Sequence, residues 1–154
     1  MGTAKVLANL KAMNSTFLVI NGDVLMTLNN SNLIEYHRHR QASVTIAVTE
    51  KRIEFELGVL RLDAEDHIMG YDEKPVKHFT ASLGIYVYEP DVLELIDPGK
   101  YLNFPTLVLR VIECGKQVVG YCTDTFWLDN GNREDYEQAV KGFENNPNVF
   151  LGSP

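Results

Sequence analysis

Cysteine is nearly absent from this sequence. Cys114 and Cys122 are the only two in 154 residues, too few for a disulfide scaffold, and their spacing fits neither a zinc site nor a CxxC redox pair. They are expected to be small core residues in a reducing compartment. Long apolar runs are missing as well. The strongest, Phe17–Ile20, has only four residues, whereas a bilayer-spanning helix needs roughly 20. No segment has the layout of a signal peptide. Basic character is also scarce: 14 Lys and Arg against 21 Asp and Glu give a formal net charge of −7, and no basic run occurs. That excludes the electrostatic footprint of a nucleic-acid binder and predicts repulsion from anionic lipid, so neither nucleic acid nor a membrane is an expected partner. There is no Walker loop, no GxSxG and no HExxH. His37, His39, His67 and His78 show no ligand spacing and are expected on the surface or on helix faces. Repeats, linkers and low-complexity segments are lacking too.

What remains is an ordinary globular composition, 45% hydrophobic and 23% charged, in a length that suits one domain. A domain of this size hides roughly 70% of its unfolded surface. The periodicity alternates between strands and helices. Residues 4–13 suit a helix, with Leu7 and Leu10 on one side. Phe17–Ile20, stopped by Asn21-Gly22-Asp23, suits a strand buried on both faces, as in a parallel sheet. Asn29 to Ser31 offers caps for a helix through Leu33, Ile34 and His37. Residues 43–49, 57–62, 68–72 and 83–88 suit strands, the middle two joined by an acidic turn at 63–66. A short helix follows Pro90 and is broken at Asp97-Pro98-Gly99. Phe104, Leu107, Val108, Val111 and Ile112 form one helix stripe, with Asn103 as cap, Pro105 in the first turn and Gly115 at the end. Residues 117–122 and 126–128 suit strands, and Asn132 can open a last helix with Tyr136, Ala139, Val140 and Phe143 inward. The expected fold is α/β with a mixed, largely parallel sheet and an antiparallel insertion. It is taken as one domain over 1–154, with a core at about 3–143 and a tail at 144–154.

Ligands of open α/β sheets bind beyond the carboxyl ends of the strands. Asp23 stands just past one strand, where it is either a metal ligand or a turn aspartate bonding its own backbone. Asp129 follows Trp127-Leu128 and is either a second ligand or a helix cap. Two such acids could share one Mg²⁺, which favours one or two carboxylates with water and substrate phosphates completing the octahedron. Glu73-Lys74-Pro75 offers an acceptor for sugar hydroxyls and a cation for phosphate, or an exposed ion pair. Gly84 in Ser82-Leu83-Gly84-Ile85-Tyr86, and Gly58 in Leu57-Gly58-Val59, mark close approach of a ligand or a bulge.

In their order these segments resemble the sugar-1-phosphate nucleotidyltransferase family, which includes the enzymes making GDP-mannose, dTDP-glucose and UDP-glucose. The resemblance rests on Gly2-Thr3-Ala4, residues 17–23, Glu73-Lys74-Pro75, Gly84-Ile85-Tyr86 and Trp127-Leu128-Asp129. It runs from about Gly2 to about Phe143. It implies a Rossmann-like nucleotidyltransferase fold and attack of a sugar-1-phosphate oxygen on the α-phosphorus of an NTP. The products are an NDP-sugar and pyrophosphate. It further implies Asp23 and Asp129 as ligands of a catalytic Mg²⁺. Gly2, Thr3 and Ala4 would lie beside the base. Glu73 and Lys74 would touch the sugar and its phosphate. Gly58, Ser82 and Gly84 would line the sugar pocket, with Gly22 and Trp127 beside the two aspartates.

Lys5, Ser82 and Asn130 depart from the family pattern. Nothing matches the family's opening strand and glycine-rich loop with its Arg-Leu pair, so the N-terminal βα units are read as missing. This chain is therefore expected to be a poor catalyst or none. The alternative is a non-catalytic, self-associating or nucleotide-sugar-binding module of the same fold. A glycosyltransferase is disfavoured by the Glu-Lys-Pro and Trp-Leu-Asp segments. A cytoplasmic protein, homodimeric through Phe17–Ile20 and the first helix, is expected.

Overall fold

The computed structural model describes residues 13–22, 24–97, 102–129 and 140, with backbone alone at 25 and 127–129. Gly2, Thr3, Ala4, Asp23 and nearly all of the expected first and last helices lie outside the described residues. The elements are, in chain order, strands β1 (Phe17–Ile20) and β2 (Val24–Met26), helix α1 (Asn30–Arg40), and strands β3 (Val44–Glu54), β4 (Val59–Leu62), β5 (Ile68–Asp72) and β6 (Val76–Tyr88). A 3₁₀ helix (Pro90–Leu95), helix α2 (Phe104–Glu113) and strands β7 (Val118–Cys122) and β8 (Trp127–Asp129) complete them. They form two compact units: residues 1–48 with 82–154, and residues 49–81.

In the first unit the sheet order is β1-β6-β3-β7. The sheet is mixed. β3 and β7 run parallel with Val44 opposite Val118, and β1 runs antiparallel to β6 with Phe17 opposite Tyr88. The strand buried on both faces is the end of β6, where Leu83, Ile85 and Val87 alternate with Tyr86 and Tyr88. The expectation placed that burial at Phe17–Ile20 in a parallel setting. Instead β1 pairs antiparallel, and its burial falls from Phe17 to Ile20, which is 38% exposed. A four-residue apolar run signals burial but cannot say on how many faces.

Strand alternation sends β6 into two cores. Tyr86 and Tyr88 join Phe17, Val44, Phe104, Leu107 and Val111. Leu83, Ile85 and Val87 join Leu33 and Ala47. The helices covering these faces start where the sequence predicts. The Asn29 side chain accepts the N–H groups of Ser31 and Asn32 at 3.0 and 3.2 Å. Asn103 accepts that of Thr106 at 2.9 Å, and Gly115 ends α2 at φ 73°. Of the α2 stripe, Phe104, Leu107 and Val111 are buried, while Ile112 faces solvent.

His37 lies on the buried face of α1 with Leu33, the helix-face placement expected for it, and is 1% exposed. Its Nδ1 lies 2.7 Å from Thr45 Oγ1 and its Nε2 3.0 Å from Glu89 Oε1, an oxygen that also accepts the Thr16 hydroxyl at 2.7 Å. This network ties α1 to β3 and to the residue that ends β6, and burial is tolerable because both ring nitrogens have partners. Cys114 and Cys122 are exposed rather than core residues: Cys114 follows the last turn of α2, and the outward alternation of β7 carries Cys122 to the surface.

In the second unit β4 and β5 form a hairpin pairing Leu60 with Tyr71, with a register shift between Arg61 and Leu62. Asp63 closes its turn. The carboxylate accepts the N–H groups of Glu65 and His67 at 3.0 and 2.9 Å, and the His67 N–H above all holds it below the usual carboxylate range. Among the described residues no helix is long and apolar enough to cross a membrane.

Replacing His37 with Ala takes the partner from the buried Thr45 hydroxyl, removes one of the two bonds to Glu89 and opens a cavity. His37→Ala is expected to lower unfolding stability by about 2–4 kcal/mol. Urea titration should show the midpoint falling with its slope unchanged.

Candidate functional site

Two short strands at one end of the first unit form an antiparallel ribbon that the sequence did not predict as such. β2 and β8 pair with Val24 opposite Asp129, Leu25 opposite Leu128 and Met26 opposite Trp127. The Thr27 N–H donates to the Phe126 carbonyl at 3.1 Å, and the Thr27 and Thr125 hydroxyls lie 2.9 Å apart. The backbone of Asp129 is therefore abreast of the residue that follows Asp23 in the chain.

The turn that leads into β2 rests on β6. The Asn21 N–H donates to the Gly84 carbonyl at 3.0 Å. Gly84 has φ 73°, and a Cβ built there would lie 2.6 Å from Asn21 Nδ2 and 3.0 Å from its Cγ. Glycine is thus required twice, by the left-handed backbone and by the side chain lying over it. Ser82 Oγ accepts the Gly84 N–H at 3.2 Å, and its hydroxyl donates to Tyr86 Oη at 3.4 Å. Gly22, by contrast, is exposed with open space around it. Of the residues predicted for a sugar pocket, Gly84 thus lies against Asn21, and Ser82 bonds to the Gly84 N–H.

In the second unit the hairpin brings Gly58 and Glu73 together through one ring. A Cβ on Gly58 would overlap the Tyr71 phenol, and that hydroxyl donates to Glu73 Oε2 at 2.7 Å. The bond to Glu73, and after it the loss of water, holds the Tyr71 phenol above its ordinary range. Lys74 takes φ 42°, a left-handed conformation that is unusual for a residue before proline. It lines an open hollow of about 470 Å³ with Glu54, Phe55, Glu56 and Val76. Two glutamates beside one lysine make that hollow a poor anion site unless Lys74 turns outward.

Other features lie apart from these residues. Two open hollows of about 500 Å³ each, one beside Met13 and Pro90 and one beside Ser31 and Arg38, contain none of the predicted site residues. Asp63, Glu65 and His67 offer ligand atoms within 4.8 Å of one another. Asp63 already spends its oxygens on the hairpin turn and on His67 Nδ1 at 3.1 Å. Sequence reasoning missed Asn21 and Tyr71. Each stands two residues before a singled-out carboxylate.

The arrangement is that of an α/β protein with its acidic residue beside a strand end. The Nucleotidyl transferase family model matches residues 2–146, and the chain belongs to that family. It is 30% identical to the mannose-1-phosphate guanylyltransferase of Mycobacterium tuberculosis (strain ATCC 25618 / H37Rv), over 96% of this chain and 44% of that protein. It is 30% identical to the UTP–glucose-1-phosphate uridylyltransferase of Synechocystis sp. (strain ATCC 27184 / PCC 6803 / Kazusa), over 92% of this chain and 39% of that protein. The chain thus spans less than half the length of either relative. Its fold is similar to that of HddC from Yersinia pseudotuberculosis complexed with GMP-PN. The TM-score is 0.64 and the identity 22%, covering 92% of this chain and 62% of that one.

Two glycines with the same φ of 73° separate backbone strain from contact, since nothing lies within 4 Å of a Cβ on Gly115. Gly115→Ala should cost about 1–2 kcal/mol, the left-handed penalty alone. Gly84→Ala should cost at least about 1 kcal/mol more, through displaced packing, and should shift the Asn21 side-chain amide resonances. Equal losses in urea titrations, with Asn21 unmoved, would contradict the contact.

Proposed function

We propose that these residues carry the metal- and sugar-phosphate-holding groups of a sugar-1-phosphate nucleotidyltransferase. The reading rests on family membership and, above all, on the β2–β8 register that sets Asp129 abreast of the neighbour of Asp23. Two carboxylates at adjoining strand ends are a donor set that suits Mg²⁺. When bound, Mg²⁺ would neutralise charge on the phosphates during displacement at the α-phosphorus. Asp23 and Asp129 would hold it, with Gly22 leaving room beside Asp23 and Trp127 preceding Asp129 by two residues.

Glu73 accepts hydrogen bonds from sugar hydroxyls in this reading, and Lys74 meets the sugar phosphate. Gly58, Ser82 and Gly84 line the sugar, and Gly2, Thr3 and Ala4 lie beside the base. Catalysis of this kind is chiefly positioning and charge stabilisation. No segment of the sequence matches the glycine-rich triphosphate grip, so the function proposed for these residues by themselves is binding on the product side. The setting is cytoplasmic, where NTPs are abundant, and two exposed free thiols are compatible with that.

Calorimetry with Mg²⁺ and each of GDP-mannose, UDP-glucose, ADP-glucose and dTDP-glucose tests the reading. One of them should bind, and Asp23→Asn or Asp129→Asn should each weaken that binding at least about tenfold, the scale of one lost charge-assisted contact. Absence of binding to all four would refute it. Pyrophosphate release from NTP and sugar-1-phosphate is expected to be undetectable on the same samples.

A second reading, self-association, is favoured by β1, which has β6 as its one neighbour among the described strands and leaves Ile20 exposed. Open edges with apolar side chains attract a second chain. A homodimer through Phe17–Ile20 is the expected state in light scattering at micromolar concentration, and Ile20→Lys should shift it to monomer. A monomeric wild type would remove this reading.

A further inference from the structure

The hydrogen bond between Tyr71 and Glu73 joins two exposed side chains, one in β5 and one just past its end. Tyr71 lies opposite Leu60 in the β4–β5 register, which puts its ring on the face shared by residues 58, 60 and 62. Gly58 is the residue over which the phenol extends, and any side chain there would occupy the hydroxyl's position. The bare backbone of Gly58 therefore makes room for the phenol, while much of the ring stays open to solvent. From that position the hydroxyl donates to Glu73 Oε2 at 2.7 Å. Among the described residues the other oxygen, Oε1, takes no hydrogen bond.

We propose that Tyr71 is a positioning residue for sugar recognition: it clamps one oxygen of Glu73 and presents the other to a sugar hydroxyl, a role that rests on the reading of Glu73 given above. A free glutamate on an exposed strand end samples many rotamers, and ordering it on binding costs affinity. Tying Oε2 to the phenol removes part of that cost beforehand. The phenol suits the task because it stays protonated, and hence a donor, throughout the neutral range. Its titration above the ordinary phenol range agrees with a carboxylate acceptor. Gly58 acquires a specific purpose as well: besides lining the sugar, it makes room for the clamp.

The inference separates sugar affinity from nucleotide affinity. The probe is the best-binding of GDP-mannose, UDP-glucose, ADP-glucose and dTDP-glucose, compared with the same nucleoside diphosphate lacking the sugar. Tyr71→Phe keeps the ring and removes the donor. It should weaken binding of the nucleotide sugar about three- to tenfold, the range of one hydrogen bond, and leave the nucleoside diphosphate unchanged. Gly58→Ala, which displaces the phenol, should do the same. Glu73→Gln combined with Tyr71→Phe should be no worse than Glu73→Gln alone, because the two act as one unit.

A second readout needs no ligand. The absorbance at ~295 nm of wild type minus Tyr71→Phe follows this phenol alone through a pH titration. It should titrate above the ordinary range and return to it in Glu73→Gln. An ordinary titration in the wild type, or nucleotide-sugar affinity indifferent to Tyr71→Phe, would overturn the inference. Failure of the wild type to bind any of the four nucleotide sugars would instead overturn the proposed function, and the sugar role of Tyr71 with it.

Discussion

The first unit depends on the burial of the last six residues of β6. Leu83, Gly84, Ile85, Tyr86, Val87 and Tyr88 are all shielded from solvent, so this segment can exist as a strand only if both sheet faces are covered and both edges paired. Every other feature of the unit supplies one of those conditions. β1 and β3 satisfy the edges. Leu33 of α1 covers one face, and Leu107 and Val111 of α2 cover the other. Each buried side chain of this size is worth about 1.5–3 kcal/mol, so the segment outweighs any single hydrogen bond around it. The one polar tie through the core, His37 with Thr45 and Glu89, specifies the docking of α1 more than it adds energy. A shifted helix would leave the buried ring without partners, which is costly in an apolar setting.

The same burial explains Tyr88. Its ring stacks on Phe17 and Tyr86 at centroid distances of 5.6 and 5.9 Å. Its hydroxyl is buried with no hydrogen-bond partner, and desolvation first, then the nearby Tyr86, pushes the phenol far above its ordinary range. A neutral phenol is the state that an apolar site tolerates. Aromatic packing has been kept here in spite of one unsatisfied polar atom, which shows how strongly apolar contact governs this region.

What the sequence revealed follows from these energies. Elements built on apolar periodicity or on caps were legible: α1 after Asn29, α2 after Asn103, the hairpin around its acidic turn, and the buried end of β6. The outer parts of the long strands were not. β3 continues past Thr49 to Glu54, and β6 begins at Val76, seven residues before Leu83. These parts are exposed and mostly polar or charged, so cross-strand hydrogen bonds define them and no burial pattern announces them. β2 is three residues long and escaped notice for the same reason. His37 was legible as a helix-face residue, but the sequence does not show the Thr45 and Glu89 that make its burial tolerable.

The two glycines singled out for ligand approach turn out to be approached by the protein itself. Gly84 lies under the side chain of Asn21, and Gly58 under the phenol of Tyr71. In each case the approaching residue stands two positions before a carboxylate assigned to the site, Asp23 in one unit and Glu73 in the other. A glycine facing the support lets it lie close to the neighbouring backbone. The pattern is what preorganisation requires of an exposed acidic group: the carboxylate stays open to its ligand while the residue beside it is held against the scaffold. A glycine in an apolar strand pattern therefore marks where a supporting side chain is held, and the reactive group is to be sought two residues further on.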